Sequence, residues 1–159
     1  MNTNELYLKT IFCCMACDGD IAKEEVTLVN DITSKQESFK NMNIEAAIND
    51  YVTIINAKGV SFLNQYLKEL EAQKLSIEEQ MIIVDFAIQT IYADSKIEYS
   101  EVKFFKKIRK RLSLTDEQIL AQHPDIEDFL LPDINVVEDP EWSNVVFENI
   151  NLAEYEQRK

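Results

Sequence analysis

The chain has 159 residues, of which 46% are hydrophobic, and this is enough to build the core of a single domain. Its formal net charge of -13 would repel a phosphate backbone from most of the surface, so nucleic acid is disfavoured as a partner. The uncharged apolar stretches are shorter than the roughly 18 residues that a spanning helix needs, and the N-terminal sequence lacks the basic start of a secretory signal. We therefore expect a cytoplasmic protein without membrane insertion.

The first predicted element is an apolar helix. Its apolar residues recur at helical spacing, and they are Leu8, Ile11, Phe12 and Met15. The same segment holds all three cysteines, Cys13, Cys14 and Cys17, which we expect to be reduced and buried because adjacent cysteines form a disulfide poorly. Cys13 and Cys17 could offer two thiolates to zinc, but His123 is the only histidine of the chain and a tetrahedral site needs four good ligands, so zinc is disfavoured.

An acidic turn follows this helix, and its pattern returns later in the chain. The matched residues are Asp18, Ile21, Glu25, Val26 and Ile32 in the first copy and Asp94, Ile97, Glu101, Val102 and Ile108 in the second. Each copy joins an apolar helix to an amphipathic one, and the second apolar helix follows a capping box at 76–79. Two like units predict a closed helical bundle with an internal pseudo-twofold repeat.

The segments between and after the copies are also helical in pattern. Apolar stripes run through 44–55 and 60–70, and Gly59 between them either ends one helix or kinks a longer one. A second capping box at 115–118 opens a short helix that should stop before Pro124. With Gly 2 and Pro 3 in the chain, the turns of a β protein are missing. The sequence predicts an all-α bundle of about seven helices over residues 1–124.

Residues 125–159 form an acidic C-terminal segment that also carries large apolar side chains, Trp142 among them. A segment that only solvates the protein would not need those apolar groups. We expect it to wrap the bundle in an extended form, and the alternative is that it folds onto a partner protein.

Six cations crowd the amphipathic helix of the second copy: Lys103, Lys106, Lys107, Arg109, Lys110 and Arg111. One interpretation is a solvated face opposite the acidic segments of the same chain. The other is a docking patch for an anionic partner, in which Lys103, Lys106, Lys107 and Lys110 would bind together with Trp142 of the C-terminal segment.

The first acidic turn has the form of the second half of an EF-hand loop, with Gly19 at the sharp turn and Glu25 at the closing position. The first and third loop positions would be Cys14 and Ala16, where calcium needs oxygen donors. An ordinary EF-hand is therefore excluded.

The paired motif resembles the tellurite-resistance TerB-like domain, a family that also looks similar to the N-terminal region of membrane-attached DnaJ-type co-chaperones. In each copy an apolar helix ends in an acidic turn and a Glu follows the Ile by four residues, as in Cys17-Asp18-Gly19-Asp20-Ile21 with Glu25, and Ala93-Asp94-Ser95-Lys96-Ile97 with Glu101. The resemblance covers about residues 1–123 and includes 109–115 after the second turn. It implies an all-helical fold in a bacterial protein.

The resemblance also implies that the two acidic turns converge on a divalent cation. Its ligands would be Asp18, Glu25, Asp94 and Glu101, with Asp20 and Glu98 as helpers. Calcium and magnesium are the expected ions, since hard cations prefer several carboxylate oxygens. In a purely structural interpretation, the glutamates cap their helices and the aspartates bond their own turns. The two interpretations are compatible, and the sequence leaves both open.

For function, the sequence favours a non-catalytic TerB-like interaction domain that binds a divalent cation and a protein partner. The resemblance suggests a bacterial stress-response or membrane-associated assembly, including tellurite resistance. Enzyme classes lack their parts, because two glycines cannot build a phosphate loop and His123 has no companion motif. The alternative is a metal-independent protein-binding adaptor that uses the basic helix and the C-terminal segment.

Overall fold

The computed structural model describes residues 2–93, 99–130, 145–150 and 152. Over these residues the chain forms short 3-10 segments at Glu37–Phe39 and Pro124–Leu130, no strand, and seven α-helices: α1 (Thr3–Ala16), α2 (Lys23–Lys35), α3 (Ile44–Lys58), α4 (Val60–Ala72), α5 (Ile77–Ile91), α6 (Tyr99–Lys110) and α7 (Asp116–Gln122). The predicted all-α bundle is confirmed. The pseudo-twofold repeat stays a prediction, because the second acidic turn, at 94–98, lies outside the described residues.

Helix α1 lies at the centre of the bundle. Every residue from Leu6 to Ala16 is buried, and α1 packs mainly against α5, with further contacts to α3, α4 and α6. Tyr7 meets Phe86 of α5 edge to face at 5.8 Å between ring centroids, and Phe12 meets Phe62 of α4 in the same way at 5.7 Å. The apolar helices of the two copies thus pack against each other.

The helix boundaries follow from local capping chemistry. Both predicted capping boxes are present, at Ser76 with Glu79 before α5 and at Thr115 with Gln118 before α7. Gly59 ends α3 rather than kinking a longer helix. Its φ of 60° and ψ of -137° suit a residue without a Cβ, and its N–H donates to Ile55 O at 2.7 Å.

Residues 145–150 and 152 of the C-terminal segment lie along α3, whereas residues 125–130 pack against α6 and α7. Phe147 and Ile150 are buried, whereas the side chain of Val146 is 77% exposed. The arrangement of residues 131–144 lies outside the described residues, so the prediction that the whole segment wraps the bundle stays a prediction.

A buried glutamine joins α5 to the loop between α6 and α7. Gln80 is 6% exposed, and its side-chain oxygen accepts hydrogen bonds from Ser113 N at 2.8 Å and Leu114 N at 3.2 Å. Its amide nitrogen donates to Leu75 O at 3.1 Å and to Ser113 Oγ at 2.9 Å. One side chain therefore satisfies the backbone of two loops.

Replacing this side chain with an apolar one of similar size should destabilise the bundle. We expect Gln80→Leu to lower the free energy of unfolding by about 2–3 kcal/mol, because it leaves backbone N–H groups of Ser113 and Leu114 without an acceptor. Urea unfolding followed by circular dichroism measures the loss. Gln89→Leu is the matched control, since Gln89 is exposed on the same helix and should change stability by less than about 0.5 kcal/mol. Equal stability of the two variants would contradict the role assigned to Gln80.

Candidate functional site

The first acidic turn follows the C-terminal end of α1. Gly19, with a φ of 90°, allows the sharp turn, and its N–H donates to Ala16 O at 2.9 Å. Asp18 Oδ1 accepts a hydrogen bond from Asp20 N at 3.0 Å, which is the bond to its own turn that the structural interpretation predicts. Asp20 itself is exposed. Asp18 therefore fixes the turn, while Asp20 points its charge toward solvent.

Glu25 is buried in the first turn of α2. It is 4% exposed, and its Oε1 accepts a hydrogen bond from Ala22 N at 2.9 Å. This bond is half of a capping box, and Ala22 has no side-chain oxygen with which to supply the other half. The carboxylate also lies at the positive end of the α2 dipole, where a negative charge interacts favourably with the helix.

Glu101 occupies the equivalent place in the second copy, in the first turn of α6, and is 3% exposed. Both glutamates act on the same end of α1, because the charge of each raises the pKa of the Cys14 thiol and of the Cys17 thiol. Cys17 Sγ further contacts Ser100 O, next to Glu101, at 3.8 Å. The structure thus brings Glu25 and Glu101 from separate parts of the sequence around the C-terminal end of α1.

The three cysteines are free and buried, as the sequence predicted. Burial is the largest cause that raises the pKa of each thiol above its usual value. At neutral pH they are therefore protonated, and a protonated thiol is a poor nucleophile and a poor metal ligand. Cys17 also donates a weak hydrogen bond to Cys14 O at 3.2 Å.

Of the second half of the predicted cation site, the structure describes only Glu101. Asp94 and Glu98 lie outside the described residues, and so does Trp142 of the predicted partner-binding set. In the part of the chain that the structure describes, no three or more His, Cys, Asp and Glu side chains are arranged to hold a metal ion. The divalent-cation site stays a prediction that depends on the second turn.

The predicted basic patch on α6 divides between two environments. Lys103 and Lys107 border a groove whose floor includes Leu63 of α4 and Phe104. Arg109 instead binds Asp116 at the start of α7, at 2.6 Å, which agrees with a basic face directed at acidic residues of the same chain. Lys106 is half-buried, and Lys110 is exposed at the end of the helix.

Sequence patterns missed several polar contacts that join separate elements of the fold. Lys9 of α1 is 8% exposed, pairs with Glu69 of α4, and lies 4.9 Å from the ring centroid of Phe62. His123 contacts Asp85 of α5. Asn49 and Asn56 of α3 bind the main chain of the C-terminal segment. For Lys9 the sequence did hold a signal, because a charged residue on an otherwise apolar helix needs a partner.

No protein-family model, curated protein or solved structure matches this chain. Among the described helices, none combines the length and the apolar character that crossing a bilayer requires.

The buried thiols give a test of the packing around this site. We expect Cys13, Cys14 and Cys17 to resist Ellman's reagent at pH 8 in the folded protein and to react fully once the protein is unfolded, because reaction needs an exposed thiolate. The free energy of unfolding should also fall as pH rises above about 8.5, since the unfolded thiols ionise there while the folded ones keep their protons.

The control is the variant Cys13→Ala/Cys14→Ala/Cys17→Ala, whose free energy of unfolding should depend less on pH between about 8 and 9.5. Immediate reaction of the thiols in the folded protein would contradict their burial.

Proposed function

We propose that this chain is a non-catalytic, TerB-like interaction domain in which the paired acidic turns bind a divalent cation, calcium or magnesium. The observation that carries the proposal is that Glu25 and Glu101, which are repeat-equivalent and both buried, lie close enough to Cys14 and Cys17 at one end of α1 for their charges to raise the pKa of both thiols. A cation site between two repeated turns requires equivalent residues to approach the same helix end.

Electrostatics supports a cation at this point. The C-terminal end of α1 carries partial negative charge, and two carboxylates add to it. The first turns of α2 and α6 offset part of this charge, because each glutamate lies at the positive end of its own helix. A divalent cation would neutralise the remainder. Capping by Glu25 is compatible with this role, since a carboxylate has two oxygens and Ala22 N–H uses one.

The cellular setting rests on the resemblance of residues 15–25 and 91–101 to the TerB-like family. On that basis we place the protein in a bacterial stress-response or membrane-associated assembly with a protein partner. The cytoplasmic location and the lack of contact with nucleic acid rest instead on the short apolar stretches and the net charge of -13. The non-catalytic role is supported by the state of the thiols described above, since they are buried and protonated.

A thermal-unfolding titration tests the cation site. We expect calcium or magnesium at about 100 times its dissociation constant to stabilise the wild-type protein by about 2.7 kcal/mol. For a chain of this length that corresponds to a rise of about 5–10 °C in the unfolding midpoint. Asp18→Asn/Asp94→Asn and Glu25→Gln/Glu101→Gln should both lose the rise.

Glu24→Gln is the matched control, because Glu24 is exposed beside Glu25 and should keep the full rise. The increment caused by the ion is compared, rather than the midpoint alone, so that loss of a helix cap is not mistaken for loss of a ligand. The absence of a rise in wild type with calcium, magnesium or manganese would refute the cation site, and an equal rise in the double variants would place the ion elsewhere.

The second candidate is a metal-independent adaptor, and the groove bordered by Lys103 and Lys107 favours it. Its floor is apolar at Leu63 and Phe104, so it combines positive charge with apolar surface in the way that suits an acidic, amphipathic partner segment. Lys103→Glu/Lys107→Glu would then abolish partner binding while leaving any response to cations unchanged. Lys58→Glu/Lys74→Glu, at two exposed lysines that do not line the groove, is the charge-matched control.

A further inference from the structure

Two asparagines of α3 hold the C-terminal segment by its main chain. Asn56 Oδ1 accepts a hydrogen bond from Phe147 N at 2.7 Å, and its amide nitrogen donates to Phe147 O at 2.9 Å. Asn49 makes the same two hydrogen bonds with Ile150. Its Oδ1 accepts from Ile150 N at 2.7 Å, and its amide nitrogen donates to Ile150 O at 3.0 Å. Each side-chain amide thus pairs with both the N–H and the C=O of one residue, as a neighbouring strand would.

The two asparagines lie on one narrow stripe of α3. Asn49 and Asn56 are seven residues apart, so they lie within about 20° of each other around the helix and about 10.5 Å apart along it. A chain with the polyproline II repeat advances about 9 Å over the three residues from Phe147 to Ile150 and returns to the same face. The helix and the segment therefore match in spacing.

A third contact extends the match. Glu45, one turn before Asn49 on the same stripe, accepts a hydrogen bond from Leu152 N at 3.2 Å. The segment runs antiparallel to α3, with contacts in the order 147, 150 and 152 against 56, 49 and 45. Asparagines placed by chance on a helix surface would not meet successive main-chain groups in order.

Side chains add selectivity to this recognition. Phe147 and Ile150 are 7% and 8% exposed, while Glu148 and Asn149 between them are exposed. The site therefore selects apolar side chains at two positions three residues apart, while the two side chains between them face solvent. It also requires an N–H at both clamped positions, which excludes proline there.

We propose that the stripe formed by Glu45, Asn49 and Asn56 is a binding site for an extended peptide segment of a different protein. That segment would carry large apolar, non-proline residues three positions apart, and residues 145–152 occupy the site as an intramolecular ligand. Main-chain recognition does not distinguish one chain from another, so a segment of a different protein with apolar side chains at the same two positions fits the site as well. The proposal is independent of the cation site.

The intramolecular ligand sets the threshold for a partner. Covalent attachment gives residues 145–152 a high effective concentration at the site, of the order of millimolar, so a partner peptide must compete with them. Weakening the attached segment should therefore raise the affinity of the site for peptide in trans without touching the site itself.

Fluorescence anisotropy of a labelled peptide with the sequence of residues 145–152 tests this, using the full-length chain throughout. We expect the variant Phe147→Ala/Ile150→Ala to bind the peptide at least tenfold more tightly than wild type does. Adding Asn49→Ala/Asn56→Ala to that variant should reduce binding at least tenfold. Adding Asn64→Ala instead, an exposed asparagine on α4, should leave binding unchanged.

The peptide offers matched controls of its own. N-methylation at the position of Ile150 keeps the side chain but removes the N–H that Asn49 binds, and it should weaken binding at least tenfold. Val146→Ala in the peptide should have no effect, because the Val146 side chain is exposed. Binding that is indifferent to the asparagines or to N-methylation would overturn the proposal.

A second measurement covers the case in which the Phe147→Ala/Ile150→Ala variant does not fold. In the wild-type chain, excess peptide should displace the attached segment and so shift the backbone amide NMR signals of Phe147 and Ile150, while the side-chain amide signals of Asn64 stay in place. Unchanged Phe147 and Ile150 signals at saturating peptide would overturn the proposal. A concentration-dependent dimer that the peptide converts to monomer would also overturn it, because the occupant would then be a second copy of this chain.

Discussion

The burial of α1 on all sides is the constraint on which the rest of the structure depends. A helix without a solvent face must be enclosed by other helices, and α3, α4, α5 and α6 all contact it. Polar groups on such a helix need partners inside the bundle. Thr10 meets this need through Leu6 O at 2.8 Å and Tyr66 Oη at 2.5 Å, and Lys9 meets it through Glu69 and the neighbouring rings. The placement of α4 is therefore tied to the polar residues of α1 as well as to its apolar ones.

The same constraint creates the acidic site. Because α1 is enclosed to its last turn, the residues that follow it must leave the core through a tight turn, and Gly19 and Asp18 provide that turn. Helices α2 and α6 both start near this point, and each buries the glutamate of its first turn. Three helix ends thus meet in a region of low solvent access, where charge interactions are stronger than at the surface. This is the basis for our proposal that a carboxylate which caps a helix here also binds a cation.

The sequence predicted the fold well and the site only in part. Helical spacing of apolar residues and the capping boxes at Ser76 and Thr115 identified the helices, because these signals are local. The repeat indicated that Glu25 and Glu101 are equivalent, but only packing shows that both approach Cys14 and Cys17. Asn49 and Asn56 were not identified from the sequence, because no local pattern links an asparagine on a helix to main-chain groups about 100 residues away.

The order of layers defines what a partner chain must provide in order to occupy the peptide site. The buried face of α3 is formed by Ile48, Val52 and Ile55. Asn49 and Asn56 lie beside this face, toward the outside of the bundle. Residues 145–150 and 152 thus form a layer over α3 that is attached by main-chain hydrogen bonds and the two apolar side chains of Phe147 and Ile150. Each of these hydrogen bonds contributes about 0.5–1.5 kcal/mol, so a partner chain must form the same bonds and fill both apolar positions in order to replace the attached residues.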